Sequence, residues 1–592
     1  MLDGQFPVNP ETSARVSKSA LFASLPPEWP EDLMPAIRQA VAVSGRKVVV
    51  LDDDPTGTQT VHDIPVWTEW SVESLRAEFA NDFPAFFILT NSRSLPAAEA
   101  GQLNREIARN LADAATAAAS AEPRQGASGV IPGEGRRDAC PTTPTMISEE
   151  KSALSPEKGR SIPSGPEFSS STADHRRLLR PYVVVSRGDS TLRGHFEAEI
   201  EGLSEVLGPF DGVLLVPFFE TGGRITINDI HYLGEGDWLT PVSETQFARD
   251  VTFGYGRSNL REWVEEKTAG RIRADDVAAI PIQTIRHGGP EKVCDELMRL
   301  GGRRICVVNI ASGRDLQVFV RGLLEAEAGG KRFLYRTAAS FAAVRSGIAP
   351  RPLLTRADLG LDEPAASPAN GGDALPASSP GGESRSASER SVAPKRVGEG
   401  SASAGGLVVV GSYVPISSEQ LERLLAANRT VNVEVEVRAV LSEGSRAEEI
   451  ERASRVVNDA LQRNQDAVLY TSRQLVIGPD PVESLSICRR VSESLMEILG
   501  RVRARPRFII AKGGITSSDV ATRGLRVRRA MVLGQILPGI PLWRLGEESR
   551  WPGLIYVSFP GNLGGPDALL ETVEKLAVNN RMNKTTGAPC LA

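Results

Sequence analysis

The segment KVVVLDDDPTG, residues 47–57, decides the fold because an apolar, β-branched run passes directly into a loop of three carboxylates. Two further segments follow the same plan: FFILTNSR at residues 86–93 and YVVVSRGDSTLRG at residues 182–194. A buried parallel strand followed by a polar loop is how open α/β sheets build sites, since ligands bind at the carboxyl ends of the strands. The three segments therefore predict a mostly parallel sheet whose loops meet at an anionic, oxygen-rich ligand.

Length and composition narrow the class of protein. A chain of 592 residues exceeds one ordinary hydrophobic core, so two domains are expected. Its 68 basic and 74 acidic residues give a formal net charge of −6, which argues against a nucleic-acid partner. No segment approaches the ~18 apolar residues of a membrane span, so no membrane partner is expected. The start of the chain lacks the pattern of a secretory signal, and the five cysteines form no CxxC pair, so we expect a cytoplasmic protein with free thiols.

Two stretches rich in Pro, Gly and Ser divide the chain. The first, about 121–175, has no apolar periodicity and is predicted to be a disordered insertion inside an N-terminal domain at 31–356. The second, 357–405, is predicted to be a disordered linker before a C-terminal domain at 406–582. Strands are predicted at 47–51, 86–90, 182–185, 212–216, 304–310, 407–410, 467–471, 508–511 and 554–558. Helices are predicted at 97–119, 196–207, 291–300, 418–427, 448–463, 485–501 and 518–525.

This alternation of strands and helices predicts an α/β fold with right-handed βαβ units. We expect two domains, each a mostly parallel sheet flanked by helices, with the active site in the cleft between them. No internal repeat is evident.

The N-terminal loops carry groups suited to an acidic substrate. Asp53 and Asp54 can act as a general base or help to hold a hydrated Mg²⁺, although an ordinary acidic turn would show the same residues. Arg93 and Arg187 each present a planar fork that suits a carboxylate, and the alternative for either one is a surface ion pair. Ser190 could equally be the N-cap of the following helix.

The C-terminal domain shows a different chemistry. Three loops that follow predicted strands are rich in glycine: Gly411-Ser412, the segment GGITSS at 513–518 and the segment PGNLGG at 560–565. Paired glycines let phosphate oxygens approach backbone N–H groups at a helix N-terminus. The Walker A spacing is absent. One such loop is weak evidence because glycine is common in turns, but three in one domain favour a nucleotide phosphate site.

Taken together, these motifs resemble the four-carbon acid sugar kinase family, whose members phosphorylate tetronic acids such as threonate, erythronate or 3-oxo-tetronate with ATP. The resemblance covers nearly the whole chain outside the two stretches, and DSTLRG at 189–194 is its most specific motif. The other matching elements are DDxTG at 53–57, Ser-Arg at 92–93, a GRTT-like element at 220–229, PVSET at 241–245, Asp250, Gly411-Ser412 with Ser417 and Gln420, GGxT at 513–516 and GNxG at 561–564.

The resemblance implies a division of labour between the domains. The substrate carboxylate would be held by Arg93 and Arg187, and its hydroxyls by Asp189 and Ser190 beside Gly188. Asp54 is the chosen base, with Asp53 next. Mg²⁺ is expected to bridge the phosphates, with its protein ligands unassigned. ATP would lie over a set of residues in the three glycine-rich loops: Ser412, Gly513, Gly514, Thr516, Gly561, Asn562, Leu563 and Gly564.

Four positions depart from the family pattern. Arg187 replaces a usual Lys, Thr60 and Ile515 replace common acids, and Val414 replaces a Ser. These departures leave the particular sugar acid open, and the sequence also leaves open whether the chain forms a homo-oligomer.

Two other classes of function remain. A dinucleotide-dependent hydroxyacid oxidoreductase is disfavoured because no GxGxxG follows the first strand of either domain. A non-catalytic sensor of sugar acid or nucleotide is disfavoured because binding alone would not need several carboxylates beside an anionic ligand.

Overall fold

The computed structural model describes residues 15–116, 181–361, 405–479 and 481–577. The predicted insertion at about 121–175 lies outside the described residues, and of the predicted linker only 357–361 and residue 405 are described. We call residues 15–361 the N-terminal half and residues 405–577 the C-terminal half.

The strands alternate with helices along both halves. The strands are β1 (Val16–Ser17), β2 (Lys47–Asp52), β3 (Ile64–Trp67), β4 (Ala85–Leu89), β5 (Tyr182–Arg187), β6 (Gly212–Val216), β7 (Arg224–Ile227), β8 (Ile230–Glu235), β9 (Trp238–Pro241), β10 (Ala278–Ile280), β11 (Arg304–Val308), β12 (Phe333–Thr337), β13 (Leu407–Val410), β14 (Val431–Val435), β15 (Ala467–Thr471), β16 (Phe508–Lys512), β17 (Arg529–Leu537), β18 (Ile540–Leu545) and β19 (Ile555–Phe559). The helices are α1 (Lys18–Ala23), α2 (Met34–Ser44), α3 (Val72–Ala80), α4 (Ala97–Ala114), α5 (Phe196–Leu207), α6 (Leu260–Lys267), α7 (Ile282–Met298), α8 (Gly313–Ala328), α9 (Ala339–Arg345), α10 (Pro415–Ala426), α11 (Val437–Leu441), α12 (Arg446–Gln462), α13 (Pro481–Arg501), α14 (Gly514–Asp519) and α15 (Ala568–Leu576).

The predicted α/β class is confirmed, and the parallel core strands explain it. Every residue of β2 is buried, which is typical of a strand covered by helices on both faces. β2 pairs in parallel with β4 and β5, and Asp52 at its carboxyl end lies opposite Arg187. The polar loops after these strands therefore open at one edge of the sheet, as the sequence predicts.

One 15-stranded sheet runs through both halves. Its order is β10-β11-β6-β12-β5-β2-β4-β3-β17-β18-β19-β16-β13-β15-β14. The junction is the antiparallel pairing of β3 with β17, in which Trp67 lies opposite Arg529. Trp543 of β18 strengthens this junction by donating from Nε1 to Thr58 Oγ1 at 2.9 Å. The two predicted sheets are therefore the two parts of a continuous one, which the strand pattern did not reveal.

All nine predicted strands are present, with bounds that differ by at most two residues. The predicted helix at 518–525 is the later part of a longer helical segment, in which α14 begins at Gly514 and ends at Asp519 and a π-helical turn follows over Val520–Gly524. The predicted helix at 291–300 is the second part of the longer α7, which is kinked at Gly289. Residues 117–119 of the predicted helix at 97–119 lie outside the described residues.

A small antiparallel sheet, β1-β9-β8-β7, was not predicted. Its β7–β8 hairpin turns over Asn228 and Asp229, which have φ values of 52° and 63°. Positive φ at both central residues is typical of the tight turns that join antiparallel strands, and Asn and Asp tolerate it. This hairpin places Arg224 and His231 beside the carboxyl edge of the main sheet, where His231 contacts the carbonyl of Ser190 in the loop after β5.

Candidate functional site

The acidic loop, residues 52–57, follows β2 and leads into a short 3₁₀ helix. Asp54 caps that helix: its Oδ1 accepts from the Thr56 backbone N–H at 2.9 Å and from Thr56 Oγ1 at 2.7 Å. The Asp52 carboxylate is buried against Gly57, where any Cβ would overlap it. The turn thus needs glycine at 57, and it presents Asp54 more openly than Asp52.

The two predicted arginines pair with this loop. Arg93 binds Asp53 through two nitrogens, at 2.6 and 3.2 Å, and its Nη1 donates to Asp54 Oδ2 at 3.2 Å. Arg187 donates from Nη1 to Asp52 Oδ1 at 3.1 Å. The structure therefore brings Asp53, Asp54, Arg93 and Arg187 together, with the guanidinium groups turned toward carboxylates of the chain itself.

The three carboxyl groups have different acidities. Burial raises the pKa of Asp52 to about 7, although Arg187 opposes the shift. Burial also raises the pKa of Asp53 against the effect of Arg93. Burial acts in the same direction on Asp54, but Arg93, Arg187 and the Thr56 hydrogen bonds outweigh it and hold the pKa of Asp54 below its ordinary value. Asp54 is therefore ionised at neutral pH and is the most available acceptor of the three.

The loop after β5 carries Gly188, Asp189 and Ser190. Asp189 accepts from Arg193 Nε at 2.6 Å and from Thr191 Oγ1. Burial acts to raise the pKa of Asp189, but Arg193 and the other cations near it hold it well below its usual range. Asp189 is thus a fixed anion at the same edge of the sheet.

Sequence reasoning missed Arg336 and Glu199 beneath this loop. The Arg336 guanidinium donates to Ser186 Oγ at 2.8 Å and pairs with Glu199. It also fills the space in which a Cβ of Gly188 would lie, which explains the glycine at that position. The position of Arg336 at the end of β12, a strand that was not predicted, is the signal that could have found it. A narrow cavity opens here, lined by Asp189, Leu192, Arg193, Leu215, Pro217, Trp263, Arg336 and Thr337.

The three glycine-rich loops of the C-terminal half meet. A Cβ built on Gly561 would lie 3.2 Å from Ser412 Oγ and 3.7 Å from the Cα of Gly513. Ser417 ties two of the loops together, because its Oγ lies 3.0 Å from Ser412 Oγ and donates to the Gly561 carbonyl at 2.8 Å. Gly513 has a φ of +114°, a left-handed conformation that favours glycine. Side chains at Gly513 and Gly561 would fill the space between these loops.

Gln420 of α10 fixes the loop at 561–565. Its Nε2 donates to the carbonyls of Leu563, Gly564 and Gly565 at 3.0, 3.2 and 2.9 Å. These hydrogen bonds turn the three carbonyls toward α10 and so fix the backbone conformation of the loop that contains Asn562 and Leu563. The predicted residues of this loop therefore belong to one ordered segment.

Two cations lie at the base of these loops. Lys512 is fully buried, donates to the Pro560 carbonyl at 2.5 Å, and has its Nζ 4.1 Å from the ring centroid of Phe559. Burial lowers the pKa of Lys512 to about 7. Arg473, which sequence reasoning did not single out, donates to the Ser412 carbonyl at 2.6 Å. Its place two residues after the predicted strand at 467–471 is the signal that could have found it.

The two halves contact each other through these same loops. A Cβ on Gly514 would overlap the Asp54 carboxylate, so the acidic loop and the second glycine-rich loop touch. Leu563 packs against Phe219 and Ala338 of the N-terminal half. The predicted catalytic and nucleotide-binding residues are therefore adjacent at the boundary between the halves.

The described residues contain neither a membrane-spanning helix nor a cluster of metal-ligating side chains. No described helix has the length and hydropathy needed to cross a membrane. Within the same residues, His, Cys, Asp and Glu form no group of three or more that could hold a metal ion.

Comparison with protein families assigns both halves. A model described as a sugar-binding N-terminal domain matches residues 48–121 and 169–345. A model described as a nucleotide-binding C-terminal domain matches residues 407–569. These matches cover the acidic loop, the loop after β5 and all three glycine-rich loops.

One curated relative and two solved structures are similar to this chain. D-erythronate kinase from Heliobacterium modesticaldum is 27% identical over 292 residues, which is 48% of this chain and 52% of that protein, so the match spans about half the length of this relative. A solved structure described as a putative tRNA synthase from Salmonella typhimurium LT2 has a TM-score of 0.53 at 14% identity, covering 89% of this chain and 98% of that chain, which shows the shared fold. A Haemophilus influenzae protein of the DUF1537 family has a TM-score of 0.48 at 16% identity, over 89% of this chain and 99% of that chain.

The two domain models together match more than half of the chain, in the order of the motifs that carry the resemblance. The chain belongs to the four-carbon acid sugar kinase family.

Proposed function

We propose that this protein transfers the γ-phosphoryl group of ATP to a hydroxyl of a four-carbon sugar acid, either a tetronate or a 3-oxo-tetronate. The observation that carries the proposal is the contact between Asp54 and Gly514. It puts an ionised carboxylate of the sugar-binding half against a glycine-rich loop of the nucleotide-binding half. A kinase needs this adjacency because the accepting hydroxyl and the transferred phosphoryl group must meet.

We propose that the sugar acid lies on the N-terminal half, among Arg93, Arg187, Gly188, Asp189 and Ser190. Asp189 is ionised and can accept hydrogen bonds from substrate hydroxyls. Arg93 and Arg187 have a second task, since their bonds to the acidic loop fix the direction of its carboxylates. We assign the general base to Asp54, with Asp53 as the next candidate.

We propose that ATP lies on the C-terminal half, with its phosphates over the glycine-rich loops. The residues assigned to it are Ser412, Gly513, Gly514, Thr516, Gly561, Asn562, Leu563 and Gly564. The support is that side chains at Gly513 and Gly561 would fill the space between these loops, and that a side chain at Gly514 would fill the space beside Asp54. Mg²⁺ is expected with the nucleotide, where it supplies charge neutralisation of the phosphates.

In the proposed reaction, the substrate hydroxyl oxygen forms a bond to the γ-phosphorus while the bond from that phosphorus to the bridging β,γ oxygen breaks. ADP leaves with that electron pair, and the hydroxyl proton passes to Asp54 Oδ2. A carboxylate of low pKa suffices because proton transfer is late in a loose phosphoryl-transfer transition state. Arg93, already bonded to Asp54, holds it in place for this step.

The test is a screen of four-carbon sugar acids with the full chain, ATP and Mg²⁺. Erythronate, threonate and 3-oxo-tetronate are offered separately, ADP release is followed by a coupled assay, and the phosphorylated acid is identified by mass spectrometry. We expect ADP release that depends on one of these acids, with one phosphorylated product per ADP. Absence of both signals with every acid would exclude the proposed reaction, and reduction of NAD by a hydroxyacid would favour the oxidoreductase class instead.

A further inference from the structure

Among the described residues, the arginines at the carboxyl edge of the N-terminal half are paired with carboxylates, and Arg224 is the exception. Four arginines there bind carboxylates of the chain: Arg93 with Asp53 and Asp54, Arg187 with Asp52, Arg193 with Asp189, and Arg336 with Glu199. Their positive charges are already compensated. The carboxylate of a sugar acid would compete with these carboxylates for any of the four.

Arg224 is the exception. It begins β7, is only 5% exposed, and has no carboxylate within 4.0 Å among the described residues. Its Nη1 donates to the carbonyl of Gly222, while its buried Nε has no hydrogen-bond partner in the described part of the chain. A buried cation without an anionic partner is costly, so its presence points to an anion that the protein receives from outside.

The surroundings of Arg224 place it in the sugar-binding half of the candidate site. Arg224 shares a face of β7 with Thr226, because alternate residues of a strand point the same way. Thr226 Oγ1 donates to His231 Nδ1 at 2.9 Å, and His231 Nε2 donates to the Ser190 carbonyl at 2.8 Å. This face of β7 is thereby tied to the loop that carries Asp189 and Ser190.

The direction of the pKa shift of Arg224 agrees with its lack of a carboxylate partner among the described residues. Burial lowers the pKa of Arg224, and Asp189 only partly offsets that effect. Charges that act on the pKa of Arg224 come from Asp189, Arg193 and Glu235, all of which belong to the N-terminal half. The anion that Arg224 lacks therefore belongs beside the sugar-binding loops rather than beside the nucleotide phosphates.

We propose that Arg224 binds the carboxylate of the sugar acid and so makes the protein select acids over uncharged polyols. This inference rests on the proposed function for the identity of its ligand. A guanidinium fork with free nitrogens can hold both oxygens of a carboxylate, which the four paired arginines can do only by giving up a bond they already have.

The experiment measures binding separately from turnover. The full chain without ATP is titrated calorimetrically with erythronate, with threonate, and with erythritol and threitol, the polyols that lack the carboxylate. R224Q removes the charge, R224K keeps it without the fork, and R257Q is the matched control, since Arg257 forms an exposed ion pair in the same half. Each variant is also titrated with a non-hydrolysable ATP analogue, and its melting temperature is recorded.

We expect R224Q to bind the acid about 10- to 100-fold more weakly, the range for loss of a charged hydrogen bond. Its affinity for polyol and ATP analogue should stay within about twofold of the wild type, so the preference for acid over polyol is lost. R224K should weaken acid binding but retain the preference, and R257Q should behave as the wild type. A purely structural role of Arg224 would weaken acid and polyol alike.

The outcomes separate this inference from the proposed function. Acid binding that depends on Arg224 without any ADP release would leave the inference standing and exclude the kinase activity. ADP release with unchanged acid affinity in R224Q, or in R224K if R224Q is insoluble, would exclude the inference alone. Loss of ATP-analogue affinity instead would assign Arg224 to phosphate and overturn the inference, and a wild type that binds none of the acids would overturn both.

Discussion

The carboxylate of Asp54 lies directly against the Cα of Gly514, where any larger residue would displace it. The two residues are far apart in the sequence and belong to different domain families. Their contact joins the end of β2 to the start of α14.

Gly514→Ala should reduce activity through this contact. The added methyl group would overlap the Asp54 carboxylate and push the acidic loop away from the glycine-rich loop. We expect kcat with a sugar acid to fall at least about tenfold, since a small misplacement of a reacting group is enough for such a loss. Gly565→Ala is the matched control because a Cβ there meets nothing within 4 Å. Equal activities of the two variants would contradict the prediction.

Asp54→Asn should affect turnover more than nucleotide affinity. The substitution removes the proposed base while keeping its size, and loss of a general base costs about 10²–10⁴ in rate. We expect the low end of that range because phosphoryl transfer has a loose transition state. Asp63→Asn, at an exposed carboxyl group, serves as the control. A near-normal kcat would contradict the assignment of Asp54 as general base and make Asp53 or Asp189 the next candidate. Loss of ATP affinity would instead indicate that Asp54 takes part in binding the nucleotide.

Arg93→Ala should impair both substrate binding and stability. It leaves Asp53 buried without its bidentate partner, and breaking a buried ion pair in this way costs about 3–5 kcal/mol. We expect denaturant unfolding to show that loss, and the KM for the sugar acid to rise while ATP affinity is retained. Arg105→Ala removes a more exposed pair with Glu205 and should leave the unfolding free energy close to that of the wild type. A similar small loss for both variants would show that the Arg93 pair is not a structural anchor.

Gln420→Ala should weaken ATP binding. The variant loses the amide that donates to three consecutive carbonyls, so the loop at 561–565 no longer has a fixed path. We expect the KM for ATP to rise several-fold, with the sugar-acid KM unchanged and a stability loss of about 1–3 kcal/mol. Gln462→Ala, at an exposed position at the end of α12, is the control. An unchanged ATP KM would show that the loop keeps its shape without Gln420.

Lys512 should make stability depend on pH. Burial lowers its pKa to about 7, whereas the unfolded chain keeps a value near 10.5. Between these values the unfolded state binds a proton that the folded state lacks, so stability rises with pH by about 1.4 kcal/mol per unit from this group. Lys512→Met removes that contribution. We therefore expect the difference in unfolding free energy, wild type minus variant, to increase between about pH 7.5 and pH 9.5, and a constant difference would contradict the shift.

Nine of the fifteen strands of the main sheet were predictable, because each of these is a short apolar run followed closely by a polar loop. Parallel pairing then places the ends of such strands at one edge, so the meeting of Asp53, Arg93 and Arg187 could be foreseen. The sequence did not predict which of these arginines and carboxylates form ion pairs with each other. Whether Arg93 faces a ligand or Asp53 depends on distances between side chains, which spacing along the chain does not determine.

The junction and the small sheet escaped prediction for different reasons. β3 has only four residues, and its partner β17 lies more than 450 residues further along the chain. No short sequence pattern therefore predicts that these two strands pair. The β7–β8 hairpin has an Asn-Asp turn rather than the commoner Asn-Gly, so the sequence does not mark it clearly. The hairpin also carries Arg224, which stands out only because it has no carboxylate partner among the described residues, and the sequence cannot show this. Arg336 lies within β12 and Arg473 follows β15, and both were passed over because neither has a glycine or an acid beside it to mark a loop.

The pairing of β3 with β17 has a consequence for any truncated form of this protein. Separating the halves would uncover two strand edges, one of them the apolar segment IPVW at 64–67, and bare edges of this kind recruit other chains. A fragment that retained only the sugar-binding half would thus be prone to aggregate rather than persist as a binding protein. A truncation that removes the C-terminal half would therefore reduce the solubility of the N-terminal half, in addition to removing the nucleotide-binding domain.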